Sequence, residues 1–188
     1  GASRWWLHHG LSALDQDLRA QGQRLILRRG KAESEVFALA QEIGAGSVFW
    51  NRSYAPYDRE PDARLKAALK AQGVEAQSFN GNLISEPVNV RNKTGGVFKV
   101  FSPFWKNISA QPISEPLPRP TQIPKLTTAS PPSLDLADLD LRPTSPDWST
   151  GLQAAWTPGE QGAIERFVAF ADGGLKDYAD GRNRPDLD

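Results

Sequence analysis

SVFWNRSYAPYDREPDARLKAALKAQG, residues Ser47 to Gly73, is the stretch whose reading decides the fold. Ser47 to Trp50 is a short apolar run that reads as a buried strand. Asn51 to Asp58 is a loop with two tyrosines, a proline and an aspartate. Ala63 to Gln72 has the spacing of an amphipathic helix, and Gly73 ends it. Open parallel sheets take ligands at the carboxyl ends of their strands. A small molecule held by this domain is therefore expected to touch Asn51 to Asp58.

Working outward, the same alternation recurs on both sides. Trp5, Leu7, Leu11, Leu14 and Leu18 follow a near-helical period from a Ser3 N-cap to Gly22. Arg24 to Arg28 reads as a strand, Ala32 to Ile43 as a helix, and Glu75 to Phe79 as a strand followed by an Asn80-Gly81 turn. Strands and helices in alternation with short links predict an α/β fold, a Rossmann-like parallel sheet flanked by helices. The first helix lacks a preceding strand, so the first strand reads as missing from this sequence. Beyond Asn80, Val88 to Arg91 and Val97 to Phe101 flank a glycine turn and predict a β-hairpin. Ser102-Pro103 reads as the cap of a short helix through Ile108. Pro112 to Pro146 is rich in proline, serine and threonine and reads as an extended connector. Within it, Leu134 to Leu141 fits a helical turn or an edge equally. Thr157-Pro158-Gly159-Glu160 is a helix start, Gly173-Gly174 its end, and Leu175 to Ala179 a last short helix. The linear division is 1–111 for the α/β domain, 112–147 for the connector and 148–188 for the first helices of a further helical domain.

The composition narrows the function. A chain of 188 residues supports one real core with appendages, or two small ones. Its 22 basic and 22 acidic residues balance, so the basic excess of a dedicated DNA-binding domain is lacking. With no cysteine there is no thiolate metal site and no cysteine nucleophile, which fits a reducing, cytoplasmic setting. The two histidines, His8 and His9, are adjacent and do not share a helix face. They read as surface helix residues, and neither a metal site nor a catalytic constellation is expected. No apolar run is long enough to span a bilayer, so no membrane partner is expected. The N-x-S/T triplets at Asn51, Asn92 and Asn107 read as chance. There is no methionine, and the sequence opens inside a helical pattern, as a fragment would.

Candidate site residues cluster after Trp50. Asp58, Glu60 and Asp62 are either ligand contacts or acids at a helix N-terminus. For Glu60 and Asp62 the helix role is the reading, while for Asp58 both stand. Tyr54 and Tyr57 either stack on an aromatic ligand or cover the sheet end. Phe101, Phe104 and Trp105 read as core. Arg28-Arg29-Gly30 and the segment Arg119 to Lys125 are weak candidates for anion contact.

Several of these segments, in order, resemble the N-terminal half of the DNA photolyase and cryptochrome family, most closely its bacterial class I type. The segments are Trp5-Trp6-Leu7-His8-His9 with Leu11, Leu14 and Leu18, Leu25-Ile26-Leu27-Arg28-Arg29-Gly30, Val48-Phe49-Trp50-Asn51, Tyr54, Pro56-Tyr57 with Arg59 and Asp62, and Leu65-Lys66. Phe98 to Lys106 and the Trp156 to Glu160 helix start complete the set. The resemblance implies an α/β antenna domain joined by the connector to an all-helical domain. That helical domain would hold FAD, bind damaged DNA and use blue light to split pyrimidine dimers. Its G-T-S-x-L-S-type flavin motif is not in this sequence. The expectation is therefore that this chain alone neither holds FAD nor repairs DNA, has no catalytic residue, and is partnered by the absent helical domain.

The resemblance also implies an antenna chromophore, a folate, a deazaflavin or a flavin, near Asn51, Tyr54, Tyr57 and Asp58. Folate-binding members carry an Asn-Glu pair where Tyr57 and Asp58 stand. The deazaflavin-type loop matches Asn51, Pro56, Tyr57, Arg59 and Asp62 and differs at Ala55, Asp58 and Pro61. The rival readings are a cryptochrome-type light receptor and an unrelated nucleotide-binding α/β domain.

Overall fold

The computed structural model describes residues 1–124 and 130–186. Lys125, the end of the Arg119 to Lys125 candidate, lies outside the described residues, as does part of the predicted connector. The chain forms two compact units. One comprises Gly1–Arg29 with Gln122–Asp188, the other Gly30–Thr121. The first helix thus groups with the C-terminal helices, a division that a linear reading of composition does not show.

The unit 30–121 holds the sheet. Helix α2 (Ala32–Glu42) leads to strand β1 (Ser47–Asn51), helix α3 (Pro56–Ala71) and strand β2 (Glu75–Phe79). The two strands pair in parallel, with Ser47 opposite Glu75 and Asn51 opposite Phe79. Val48 and Trp50 alternate inward with period two. They pack on a core of Ala40, Leu65, Leu69 and Ala76, which α2 and α3 close. Leu65 and Leu69, four apart, lie on one face of α3, and Leu69 is fully buried. On the opposite face of the sheet the Phe49 and Phe79 rings lie 5.9 Å apart, both partly exposed.

Four expectations for this unit are corrected. Helix α3 begins at Pro56, not Ala63. Proline suits the first helical position because its N–H would have no partner there. Pro61, inside the helix, removes the donor for the Tyr57 carbonyl, and that interruption hides the first turn from the sequence period. The hairpin across Val88 to Phe101 does not form. Asn92 instead folds its own loop, its Oδ1 accepting from the Thr94 and Gly96 amides at 3.0 and 2.9 Å. Such local bonds compete with a ladder. Helix α4 (Phe101–Ile108) has Val100 as N-cap, so Pro103 falls inside its first turn. Phe101 and Trp105 stack on it, both more than half exposed, contrary to their reading as core.

In the other unit, helix α1 (Ala2–Ala20) buries Trp5 to 1% exposure, while Leu7 and Leu14 remain half exposed. Its N-cap is Gly1; Ser3 already lies within the helix. Among the described residues Arg24 to Arg28 belongs to no ladder. Three of its backbone groups bond elsewhere in the same unit. Leu25 N donates to Asp15 at 2.9 Å, Leu27 N to Ser133 Oγ at 2.8 Å, and Leu134 N to the Leu27 carbonyl at 2.9 Å. Leu136–Leu139 is one turn of 3-10 helix with a reciprocal Asp135–Asp138 capping box, which settles the Leu134 to Leu141 alternatives as a helical turn.

Helices α5 (Thr150–Ala155), α6 (Glu160–Ala169) and α7 (Tyr178–Gly181) follow, with a π turn over Phe170–Gly174. Helix α5 had no sequence signal. Helix α7 starts three residues later than the helix expected from Leu175. The N-cap of α6 is Gly159 at φ 116°, not Thr157. A Cβ on Gly162 would lie 1.9 Å from the Thr157 carbonyl oxygen. Gly162→Ala is therefore expected to displace the start of α6 and cost about 1–3 kcal/mol. Gly151→Ala, where nothing lies within 4 Å, should be neutral or mildly stabilising. Thermal melts of the two variants check this, and equal melting temperatures would contradict it.

Candidate functional site

At the carboxyl end of β1 the chain turns through Arg52 to Ala55 into α3, and at the end of β2 it turns through Asn80. The second turn is built by Asn80, whose Oδ1 accepts from the Leu83 amide at 3.0 Å and whose Nδ2 donates to the Leu83 carbonyl at 2.6 Å. Between these turns lies a cavity of about 720 Å³. That is within the roughly 300–1,000 Å³ of small-molecule sites.

Helix α3 supplies one wall. Arg59, Asp62, Ala63 and Lys66 line the cavity, and their i, i+3, i+4, i+7 spacing puts them on a single stripe. Trp50, Tyr54, Phe98 and Phe104 make the lining aromatic. Four cations, Arg52, Arg59, Lys66 and Arg91, face two acids, Asp62 and Glu86. The side chains of Arg59 and Lys66 pair with no other described residue.

Arg52 joins the strand ends. Its amide continues the ladder to the Phe79 carbonyl at 2.8 Å, and its guanidinium donates to the Ser78 carbonyl at 2.8 Å and Ser78 Oγ at 3.3 Å. The same guanidinium donates to Glu86 Oε1, which also accepts from the Tyr54 hydroxyl. The Tyr54 hydroxyl, and after it the Arg52 guanidinium, hold the Glu86 carboxyl below its usual range. Burial, and then Glu86, push the Tyr54 phenol above its usual value.

Of the four residues singled out from the sequence, the structure brings Tyr54 into the cavity lining. Asn51 ends β1 with its side chain against Gly81, where a Cβ would come within 2.6 Å of Asn51 Cγ. Tyr57, in the first turn of α3, is 79% exposed. Asp58 is the first-turn acid of α3 and accepts from Ser53 Oγ at 2.8 Å. Asp62, read as a helix-end acid, lies instead on the cavity stripe.

Sequence reasoning missed Glu86, Arg52, Lys66 and Arg91. The seven-residue spacing from Arg59 to Lys66 was a usable signal once the helix is known to start at Pro56. Glu86 carried none, because its partners are 32 and 34 residues away.

In the other unit, His9 packs on Trp5 with ring centroids 4.5 Å apart, and His8 lies 5.2 Å from His9. Both are half-buried rather than on the surface. Burial, then His9 and Arg142, lower the His8 pKa. Among the described residues no group of His, Cys, Asp and Glu could hold a metal ion, and no helix is long and apolar enough to cross a membrane.

A small parallel sheet flanked by helices, with an aromatic and cationic cavity at the carboxyl ends of its strands, defines a Rossmann-like α/β architecture. The DNA photolyase family profile matches residues 1–122, and the chain belongs to that family. It is 41% identical to a deoxyribodipyrimidine photo-lyase of Agrobacterium fabrum, over 98% of this chain and 39% of that protein. It is 33% identical to Cryptochrome-1 of Arabidopsis thaliana, over 98% of this chain and 27% of that protein. In three dimensions it is similar to a bacterial class III photolyase from Agrobacterium tumefaciens. The TM-score is 0.91 at 39% identity, over 98% of this chain and 38% of the other. An archaeal photolyase from Sulfolobus tokodaii shares the fold at TM-score 0.58 and 19% identity, over 72% of this chain and 29% of its own. The chain thus spans about two fifths of the length of these two Agrobacterium photolyases.

Proposed function

We propose that this chain is the α/β antenna part of a blue-light-dependent deoxyribodipyrimidine photolyase, with the connector and the first helices of its helical domain. The observation that carries the proposal is the cavity beside β1. Its aromatic walls suit a planar ring system, and Arg59 and Lys66, which pair with no other described residue, suit an anionic substituent on that ring. These are the features of a folate or flavin-type chromophore. In this reading Tyr54, Phe98 and Phe104 flank the ring, Lys66 and Arg59 take the anionic group, and Arg52 holds the end of the sheet closed. Asn51, Tyr57 and Asp58 stay in the proposal as contacts to the part of the ligand that extends past the lining. When bound, an antenna supplies absorbed light energy to a flavin. FAD, the damaged DNA and dimer cleavage are assigned to the helical domain of the whole protein, and no catalytic residue is placed here.

Two observations order the finer readings. The likeness to a class III photolyase, at 39% identity, favours that subclass over the class I type. The higher identity to a photolyase than to a cryptochrome favours repair over signalling.

The test is a titration of the chain with 5,10-methenyltetrahydrofolate, FMN and a 5-deazaflavin, read by ligand fluorescence and tryptophan quenching. One of the three is expected to bind. Lys66→Glu should weaken that ligand by roughly tenfold or more, the equivalent of about 1.4 kcal/mol. Glu60→Gln, at an exposed carboxylate outside the lining, should leave it unchanged. Binding of none of the three, or binding indifferent to Lys66→Glu, removes the proposal.

A further inference from the structure

The cavity has one wall with no regular structure. Residues 80–91 leave β2 through the Asn80 turn and form no strand or helix, yet Glu86, Pro87, Val88, Val90 and Arg91 all line the cavity. The segment is braced internally. Asn89 N donates to the Glu86 carbonyl at 2.9 Å, and Arg91 Nη1 donates to the Pro87 carbonyl at 2.6 Å. Val90 is buried. What ties this brace to the sheet is a side chain. Glu86 Oε1 takes both the Arg52 guanidinium and the Tyr54 hydroxyl, and Arg52 is itself fixed on Ser78 of β2. The carboxylate is therefore connected to the ends of both strands and to the first loop. Its side chain is only 17% exposed, so solvent screens the charge less than at a surface pair.

We propose that Glu86 is a positioning residue of this cavity. Acting through Arg52 and Tyr54, it fixes the Tyr54 ring and holds residues 80–91 as a preformed wall for the ligand. The proposal rests on the reading of the cavity as a ligand site. Its physical basis is preorganisation. A wall that must be ordered on binding draws on the binding free energy, whereas a wall already tied does not. A charge-assisted bond to arginine together with a phenol donor is a stronger tie than two neutral bonds. The committed Tyr54 hydroxyl also leaves that residue to meet the ligand with its ring.

Glu86→Gln keeps the shape and removes the charge; Tyr54→Phe removes the second donor. Three readouts on the 188-residue chain separate the roles: amide hydrogen exchange of residues 82–91, the ultraviolet titration of the three tyrosines, and affinity for FMN as the probe. Glu86→Gln is expected to raise exchange across 82–91 by roughly tenfold and to weaken FMN by a similar factor. It should also bring one tyrosine titration down toward the ordinary phenol range, a transition that Tyr54→Phe deletes. The double variant should weaken FMN by less than the product of the two single effects.

Unchanged exchange and tyrosine titration beside weakened FMN binding would make Glu86 a direct ligand contact and overturn the proposal. No change in any readout would overturn it too. If the unsubstituted chain takes no FMN, the ligand reading is decided by the folate and the 5-deazaflavin, and the exchange and tyrosine arms decide the positioning role by themselves.

Discussion

Leu69→Ala is expected to destabilise the chain by about 2–5 kcal/mol, the range for emptying a fully enclosed leucine site. Leu69 has no exposed surface and stands between Ala40 on α2, Leu65 one turn away on α3 and Ala76 on β2. Two of those neighbours are alanines, too short to reach into the space left behind. The backbone is tied at the same point, since Val74 N donates to the Leu69 carbonyl at 3.0 Å where α3 turns into β2. Relaxation is therefore limited, and the cost should fall in the upper part of the range. Urea unfolding measures the loss, and hydrogen exchange should place it in α3 and β2. Ile84→Ala, at a side chain 80% exposed, is the comparison and should stay within about 0.5 kcal/mol. Equal costs at the two positions would mean that the core is not where the structure puts it.

Trp5→Ala should cost a comparable amount in the other unit, about 3–5 kcal/mol. Trp5 is 1% exposed, with the Trp6 ring 6.2 Å away and the His9 ring 4.5 Å away. Beyond it the aromatic contacts continue, Trp6 meeting Trp156 at 5.6 Å and Arg166 lying 4.7 Å over the Trp156 ring. The indole Nε1 has no partner among the described residues, so Trp5→Phe forfeits volume and no hydrogen bond. It should retain most of the stability that Trp5→Ala loses. Near-ultraviolet circular dichroism with thermal melts checks this. A phenylalanine variant as unstable as the alanine variant would show that the indole nitrogen is bonded.

The alternation of strand and helix from Ala32 to Phe79 was legible because each element carries its own period. Two-residue alternation marks Val48 and Trp50, and four-residue spacing marks Leu65 and Leu69. Arg24 to Arg28 has a strand's composition and yet lies in no ladder among the described residues, because a strand is completed by its neighbour and not by its own residues. The hairpin failed for a related reason. Asn92 satisfies the turn locally, and no residue pattern ranks that against pairing. At the cavity, Tyr54 of the loop after β1 stands in the lining, whereas Asn51, Tyr57 and Asp58 do not. The helix start at Pro56 was masked by Pro61, and the shift carried Tyr57 and Asp58 from loop to first turn.

By itself the sequence determined the order and type of the elements around the sheet, the absence of thiol chemistry, and the segments shared with the DNA photolyase family. These are properties of single residues or short periods, set by backbone geometry and side-chain chemistry within a turn or two of chain. Only the tertiary structure decided which charges meet. Arg52, Tyr54 and Glu86 converge because two parallel strands end side by side and release their loops in the same direction. A contact across more than 30 residues leaves no periodic trace in the sequence. The same convergence turns the Arg59 to Lys66 stripe of α3 from a solvated helix face into a cavity wall.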